Sequence, residues 1–323
     1  MSRIEASSVI NNGKLQEAII RTVAFFDLFE FPLTKFEIWK YLWSPDGAPV
    51  GLFEIETMIG ELISSRKIEE KFGFCFLPGR DSTVAVRQTS YNLAQKKIKI
   101  AVRAAHWLKY FVGVKMVAVV NSVVLGSVKK SSDIDLFIVT ARNRIWLSRL
   151  VVTALVEMLG LRRHGDKITD RLCLSFYADE DRLEMENLLL PVDPYFCYWL
   201  ATLTPIYDDG RYGPLLEKNR WLGRYLPNYF AGAVGDRYRV LDSWPARLTK
   251  FLDGLWFNSI IGRWCERGAK KMQLKKMSLN RESLAGRNDS RVVISDRILK
   301  FHESDRRQEF LDRWQEKCGQ LLA

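Results

Sequence analysis

VAVVNSVVLGSVKKSSDIDLFIVT, Val117 to Thr140, is a short apolar run, a turn of small and polar residues, and a second apolar run that carries Asp133 and Asp135. Successive side chains of a strand point to opposite faces. The two aspartates therefore project together, while Ile134, Leu136 and Ile138 point the other way. Two carboxylates roughly 5 Å apart repel by about 3 kcal/mol at an effective dielectric near 20. A divalent cation removes that cost, and hard oxygen ligands suit Mg²⁺, which takes one or two carboxylates plus substrate phosphates.

Around this stretch the chain is long enough, at 323 residues with 47% hydrophobic content, for two or three domains with an adequate core. Cys75, Cys173, Cys197, Cys265 and Cys318 show no C-x-x-C spacing, and only His106, His164 and His302 accompany them. Neither a zinc site nor a disulfide framework is expected, and the default is a reducing, cytoplasmic compartment. The N-terminus, MSRIEASSVINNGK, lacks the apolar core of a signal peptide. Ile145 to Leu161 is the most apolar long run, but Arg149 and Glu157 interrupt it, so it reads as a packed helix and no membrane partner is expected. A net charge of +11 favours polyanionic partners, nucleoside triphosphates included.

Before the central stretch, helical spacing predicts helices over Leu15–Leu28, Lys35 to about Trp43, with Thr34 as N-cap and Glu37 three residues on, and Leu52–Ser65. Lys67–Leu77 alternates around Gly73 like a hairpin. Three helices and a hairpin resemble a winged helix. Its third helix, LFEIETMIGELISS, carries glutamates and no cation before Arg66. A DNA-reading helix needs cations, so docking to a protein is the preferred role. Ser82–Tyr110 predicts a long helix whose exposed face is basic through Arg87, Lys96, Lys97, Lys99, Arg103 and Lys109.

After it, Asn143–Gly160 reads as a crossover helix with Arg142, Arg144 and Arg149 near its start, and Arg162-Arg163-His164-Gly165 as a basic turn. Arg171–Tyr177 reads as a strand with Cys173, Ser175 and Tyr177 on one face. Leu188–Asp209 is rich in aromatics and proline, either a base-stacking surface or a helix packed on the sheet. Helices are expected over Leu215–Leu226 and Asp242–Met277. The second of these ends in a basic cluster of Arg267, Lys270, Lys271, Lys275 and Lys276, a candidate polyanion surface or a solvated helix end. Ser278–Ser290 reads as a polar loop, Arg291–Phe301 as a strand, and Ser304 as the cap of a last helix.

Val120-Asn121-Ser122, a spacer, and Asp133-Ile134-Asp135-Leu136 resemble the nucleotidyltransferase superfamily typified by DNA polymerase beta. That pattern is a hydrophobic residue, Gly, Gly or Ser, a spacer, then Asp-hydrophobic-Asp or Glu-hydrophobic. Gly126-Ser127 competes with Asn121-Ser122 for the phosphate loop, but the pair directly after the strand leaves room for a helical turn and a return. Gly126 and Ser132 look like positions of minimal members, and the resemblance spans Met116 to about Ala178. It looks closest to a bacterial subgroup with a winged-helix-like segment ahead of this core.

The resemblance implies an α+β fold with a mixed sheet and flanking helices. The reading along the chain divides it into a winged-helix-like domain at 1–81, a nucleotidyltransferase-like core at 82–210 and a mostly helical region at 211–323. The resemblance implies Mg²⁺ or Mn²⁺ on Asp133 and Asp135, with a nucleoside triphosphate held by Asn121, Ser122, Gly126, Ser132, Lys129 and Lys130. An NMP would pass to an acceptor hydroxyl on nucleic acid, protein or a small molecule.

Two departures stand out. Asn121 replaces the first glycine, and Asn is the side chain that best tolerates positive φ. The third carboxylate expected on the following strand is missing, with Ser175 or Cys173 in its place; Asp170 and Asp179 lie at that strand's ends. A catalytically silent nucleotide- or nucleic-acid-binding module therefore stays open, as does a DNA-binding regulator.

Overall fold

The computed structural model describes residues 12–231, 238–279, 292–301 and 306–323. Helix α1 (Asn12–Asp27) is followed by a two-residue strand β1 (Leu33–Thr34), α2 (Lys35–Lys40) and α3 (Leu52–Ser64). Thr34 caps α2: its hydroxyl accepts from the Glu37 amide at 3.2 Å, and Glu37 accepts from the Thr34 amide at 2.8 Å. Strands β2 (Glu69–Lys71) and β3 (Phe74–Phe76) turn about Phe72 and Gly73, at φ 54° and 79°. Two successive left-handed residues match the twist of the strands they join. β1 adds to the hairpin, giving a small antiparallel sheet in the order β1-β3-β2.

Next come α4 (Ser82–Leu108), β4 (Val114–Val119), a single turn α5 (Ser122–Leu125), β5 (Ile134–Thr140), α6 (Ile145–Met158) and β6 (Leu172–Asp179). They are followed by α7 (Pro194–Thr202), β7 (Thr204–Asp208), α8 (Tyr212–Lys218), α9 (Trp244–Phe257) and α10 (Ile260–Leu279). β8 (Val292–Ile294), β9 (Ile298–Phe301) and α11 (Arg307–Leu322) complete the order. The larger sheet runs β7-β4-β5-β6-β9-β8, with β5 and β6 parallel across the α6 connection and the other neighbours antiparallel. The chain is mixed α/β, with helices on both faces of a mixed sheet.

Strand alternation divides the interior in two. Met116, Ala118, Phe137 and Val139 face a core shared with α1, α3, α7 and α11, built around Phe25, Phe26, Tyr198 and Trp314. Val117, Val119, Leu136 and Ile138 face a second core under α4, α6 and Phe257. The first core draws residues from all three segments expected as domains: Ile55 and Leu62, Phe137 and Trp199, and Leu222 and Trp314 lie in one cluster.

Several expectations are corrected. The helix over Asp242–Met277 is two helices, because the chain turns at Asn258-Ser259; Gly262 there lies so close to the Phe257 carbonyl that a Cβ would collide with it. The aromatic stretch yields α7 and then an edge strand, β7, at whose Pro205 the pairing register with β4 shifts. An edge or a bulge is where a sheet tolerates proline. Leu215–Leu226 is the short α8 followed by a 3₁₀ turn, and of the strand expected over Arg291–Phe301 the described residues 292–301 fold as the β8–β9 hairpin.

The exposed basic face of α4 shrinks to Lys96, Lys99 and Arg103, since Lys97 and Lys109 are buried. Arg87 lies between the rings of Phe31 and Phe74 and forks onto Glu37 at 2.7 and 2.9 Å. The leader reading of residues 1–11, most of the loop expected over Ser278–Ser290, and the Ser304 cap lie outside the described residues. No helix among the described residues is long and apolar enough to cross a membrane.

Candidate metal and phosphate site

β4 ends into a bend at Asn121, which takes φ 61° and ψ −143°. With ψ at −143° this is not the left-handed helical well that Asn tolerates but a conformation close to the one reserved for glycine, so it must be held by its surroundings. The side chain is put to use: Asn121 Nδ2 donates to Asp135 Oδ2 at 2.9 Å, and the Tyr195 hydroxyl donates to Asn121 Oδ1 at 3.3 Å. α5 follows, and Gly126 ends it in the left-handed conformation, at φ 68°. A Cβ on Gly126 would stand 3.2 Å from the Phe31 ring, so this glycine lets the loop pack under the N-terminal helices.

Asp133 and Asp135 share the parity of Phe137 and Val139, so they project on the side of the first core, at the start of β5. Each of Asp133, Asp135 and Cys173 offers one ligand atom within 4.8 Å of the other two. The pairing explains why Cys173, rather than Ser175, is the third member. Asp135 pairs with Cys173, but Phe137 pairs with Phe176, so β6 carries one extra residue and its parity flips. A β-bulge does this. Tyr177 is thereby turned into the second core instead of sharing a face with Cys173, and Ser175 is a buried neighbour that lines the same cavity.

Burial and the adjacent Asp133 charge push the Asp135 carboxyl up to about 6, against the opposing pull of Asn121, Cys173 and Arg163. Burial, with Asp135 adding to it, pushes the Cys173 thiol up to about 12, so it is neutral unless a metal displaces its proton. Arg163 Nη1 meets Asp133 Oδ2 at 2.6 Å. Arg162 and His164 of the same basic turn pair instead with Glu157.

The acids open into a cavity of about 1840 Å³. It is lined beside the acids by Asn121, Ser122, Lys129 and Ser175, and also by residues of α11 and by Asp27 and Glu30 at and just after the end of α1. Tyr195 stacks on Phe310 across it, with centroids 5.3 Å apart and planes 2° from parallel. Lys130 and Ser132 do not line it. The Ser132 hydroxyl accepts from the Lys129 amide at 3.1 Å and the Lys130 side chain is exposed, so both shape the turn.

Of the crossover arginines, Arg144 donates to the Phe257 carbonyl, Arg142 pairs with Asp181, and Arg149, at the cavity margin, donates to Gln273 and lies over the Phe301 ring. Asp170 is held by Lys97, and Asp179 caps the amides of Asn143 and Asp181. Neither joins the acidic pair.

Lys97 is the site-shaping residue that a surface reading of α4 conceals. Buried, it donates to the carbonyls of Ser132 at 2.6 Å and Lys130 at 3.4 Å and to Asp170 at 2.6 Å, pinning the turn that delivers Asp133. Its signal in the sequence is its place between Ala94 and Ala101 on the core side of the helix. Comparison of the chain with protein-family models, curated proteins and solved structures finds no match.

Proposed function

We propose that the chain is a metal-dependent nucleotidyltransferase-like protein. One observation carries the reading: two carboxylates converge, beside a positive-φ bend, on a cavity large enough for a nucleotide and its acceptor. The donor set fits a divalent cation, because burial first and the neighbouring Asp133 charge second hold a proton on Asp135 up to about pH 6, and a bound cation would offset both. Asp133 and Asp135 would hold Mg²⁺ or Mn²⁺. Bound there, the metal would supply charge stabilisation for phosphoryl oxygens.

The remaining chemistry belongs to the chain's own residues. Ser122 and Lys129 line the wall available to phosphates, and the Tyr195–Phe310 pair presents a stacking edge for a base. An acceptor hydroxyl attacks the α-phosphorus and gives up its proton to water, the bond to the β-phosphate oxygen breaks, and pyrophosphate leaves with that bond's electron pair. In this reading α1–α3 and the small sheet form a winged-helix-like unit. The exposed face of α3 carries Glu54, Glu56 and Glu61, so we assign that unit to protein docking and not to DNA.

A second reading, a catalytically silent nucleotide-binding module, is favoured by two features: Arg163 already neutralises Asp133, and a neutral thiol occupies the third-ligand position. Calorimetry with ATP and Mg²⁺ on wild type and Asp133→Asn tests the site itself, since equal affinities would remove these acids from the function. Transfer of label from α-labelled nucleotides to cell extract separates the two readings. Labelled product that Asp135→Asn abolishes supports the enzyme, and nucleotide binding without product supports the module.

A further inference from the structure

The outward face of α9 is apolar where a surface helix is ordinarily polar. Trp244, Leu248, Phe251, Leu252 and Leu255 recur at helical spacing on the side opposite the buried Ala246 and Phe257. Trp244, Phe251 and Leu255 are 75%, 67% and 65% exposed. The face continues across the turn onto Ile260, Ile261 and Trp264 at the start of α10. Apolar surface this extensive marks an interaction site.

Charge identifies the partner. Leu241–Leu279 holds eight basic and three acidic residues. None of the three acids is exposed: Asp242 pairs with Lys250, Glu266 accepts from the amides of Trp146 and Leu147, and Asp253 is partly buried. Arg247, Arg263, Arg267, Lys271 and Lys275 are exposed beside or beyond the apolar stripe.

We propose that α9 and the first turns of α10 dock on the surface of an anionic phospholipid bilayer, with the aromatic and aliphatic side chains in the headgroup layer and the cations against lipid phosphates. Helices with Trp, Phe and Leu on one face and Lys and Arg beside them lie in that layer. Neither helix is long and apolar enough to span a bilayer. A second copy of the chain is a poorer occupant, because a two-fold contact would set the cationic rim against itself. Nucleic acid would leave the aliphatic stripe exposed to water. The inference does not depend on the nucleotidyltransferase reading.

Flotation of the full chain with vesicles of phosphatidylcholine alone, and of phosphatidylcholine mixed with phosphatidylglycerol, tests it. The chain should float with the mixed vesicles and be released as salt rises. Trp264→Ser combined with Leu255→Ser should lower binding by at least about tenfold, and Arg267→Gln or Lys271→Gln by about fivefold for each charge. All four side chains are exposed, so thermal melting should be unchanged and serves as the folding control. Three results would overturn the proposal: no flotation with either vesicle, flotation insensitive to the Trp264 and Leu255 changes, or a dimer that those changes dissociate while vesicles go unbound.

Discussion

Asn121 and Asp135 are joined by one hydrogen bond, 2.9 Å from the side-chain amide to Oδ2, and it ties the bend after β4 to the half-buried acid. A residue at φ 61° is strained unless something holds it. Here the strain is held by Asp135 on one side and the Tyr195 hydroxyl on the other.

Substitution at this position separates backbone from side chain. Asn121→Ala forces a Cβ residue into the same positive φ without either hydrogen bond, and should lower stability by about 1–3 kcal/mol. Asn121→Gly relieves the backbone and loses only the bonds, so its loss in urea melts should be clearly smaller. Equal losses would mean that the backbone carries no strain.

The pH dependence follows from Asp135, whose carboxyl is raised from 3.8 to about 6. The folded chain holds that proton more tightly than the unfolded chain, so the associated stability is complete below about pH 4 and is lost as pH rises through 6. The shift corresponds to about 3 kcal/mol. Asp135→Asn has nothing to lose in that window. In metal-free buffer it should match wild type near pH 4 and exceed it at pH 8 by about 1–3 kcal/mol. Parallel stability curves for the two proteins between pH 4 and 8 would show that the carboxyl is not perturbed.

The acidic pair, the bend and the strands on either side could be read from the sequence because each depends on local order: period-two alternation, a small-residue turn, and acids at i and i+2. What could not be read depends on partners distant in the chain. Alternation alone places Ser175 and Tyr177 on the face of Cys173, and only the pairing of Phe137 with Phe176 exposes the extra residue in β6. Lys97 looks solvated until the carbonyls of residues 130–132 come to meet it. A helix over α9 is expected from the sequence, but helical spacing alone cannot say which face meets the core, and here the apolar one faces outward. β7 was hidden by Pro205, which an edge strand admits and an interior one does not.

Metal binding should track the same proton. Mn²⁺ must displace it from Asp135, so the apparent affinity measured by calorimetry should tighten as pH rises to about 6 and level off above. Below that, about tenfold should be lost for each pH unit if one proton is released. A pH-independent affinity would place the ion elsewhere.

Lys97 holds the turn before Asp133 through two carbonyls and Asp170. Lys97→Met fills the same channel but removes the donor from the Ser132 and Lys130 carbonyls, at about 1–3 kcal/mol in all, while the exposed Asp170 carboxylate turns to water. Thermal melting should show a loss of that order. Mn²⁺ affinity should fall with it, because residues 130–132 no longer fix the approach of Asp133. Loss of stability with unchanged metal affinity would confine Lys97 to a structural role.

Arg163 contacts Asp133 at 2.6 Å while remaining half exposed, so under the proposed function it would compete with a metal for that acid. A partly exposed pair of this kind contributes only about 0–1 kcal/mol, so Arg163→Gln should leave the melting temperature nearly unchanged. It removes the cation that competes with a metal for Asp133, and affinity for Mn²⁺ alone should rise several-fold. If Arg163 swings onto phosphate once the metal arrives, affinity for the Mg²⁺–ATP complex should fall in the same variant. Opposite shifts for metal and nucleotide would identify it as a phosphate ligand, whereas parallel gains would show that it only shields the acid.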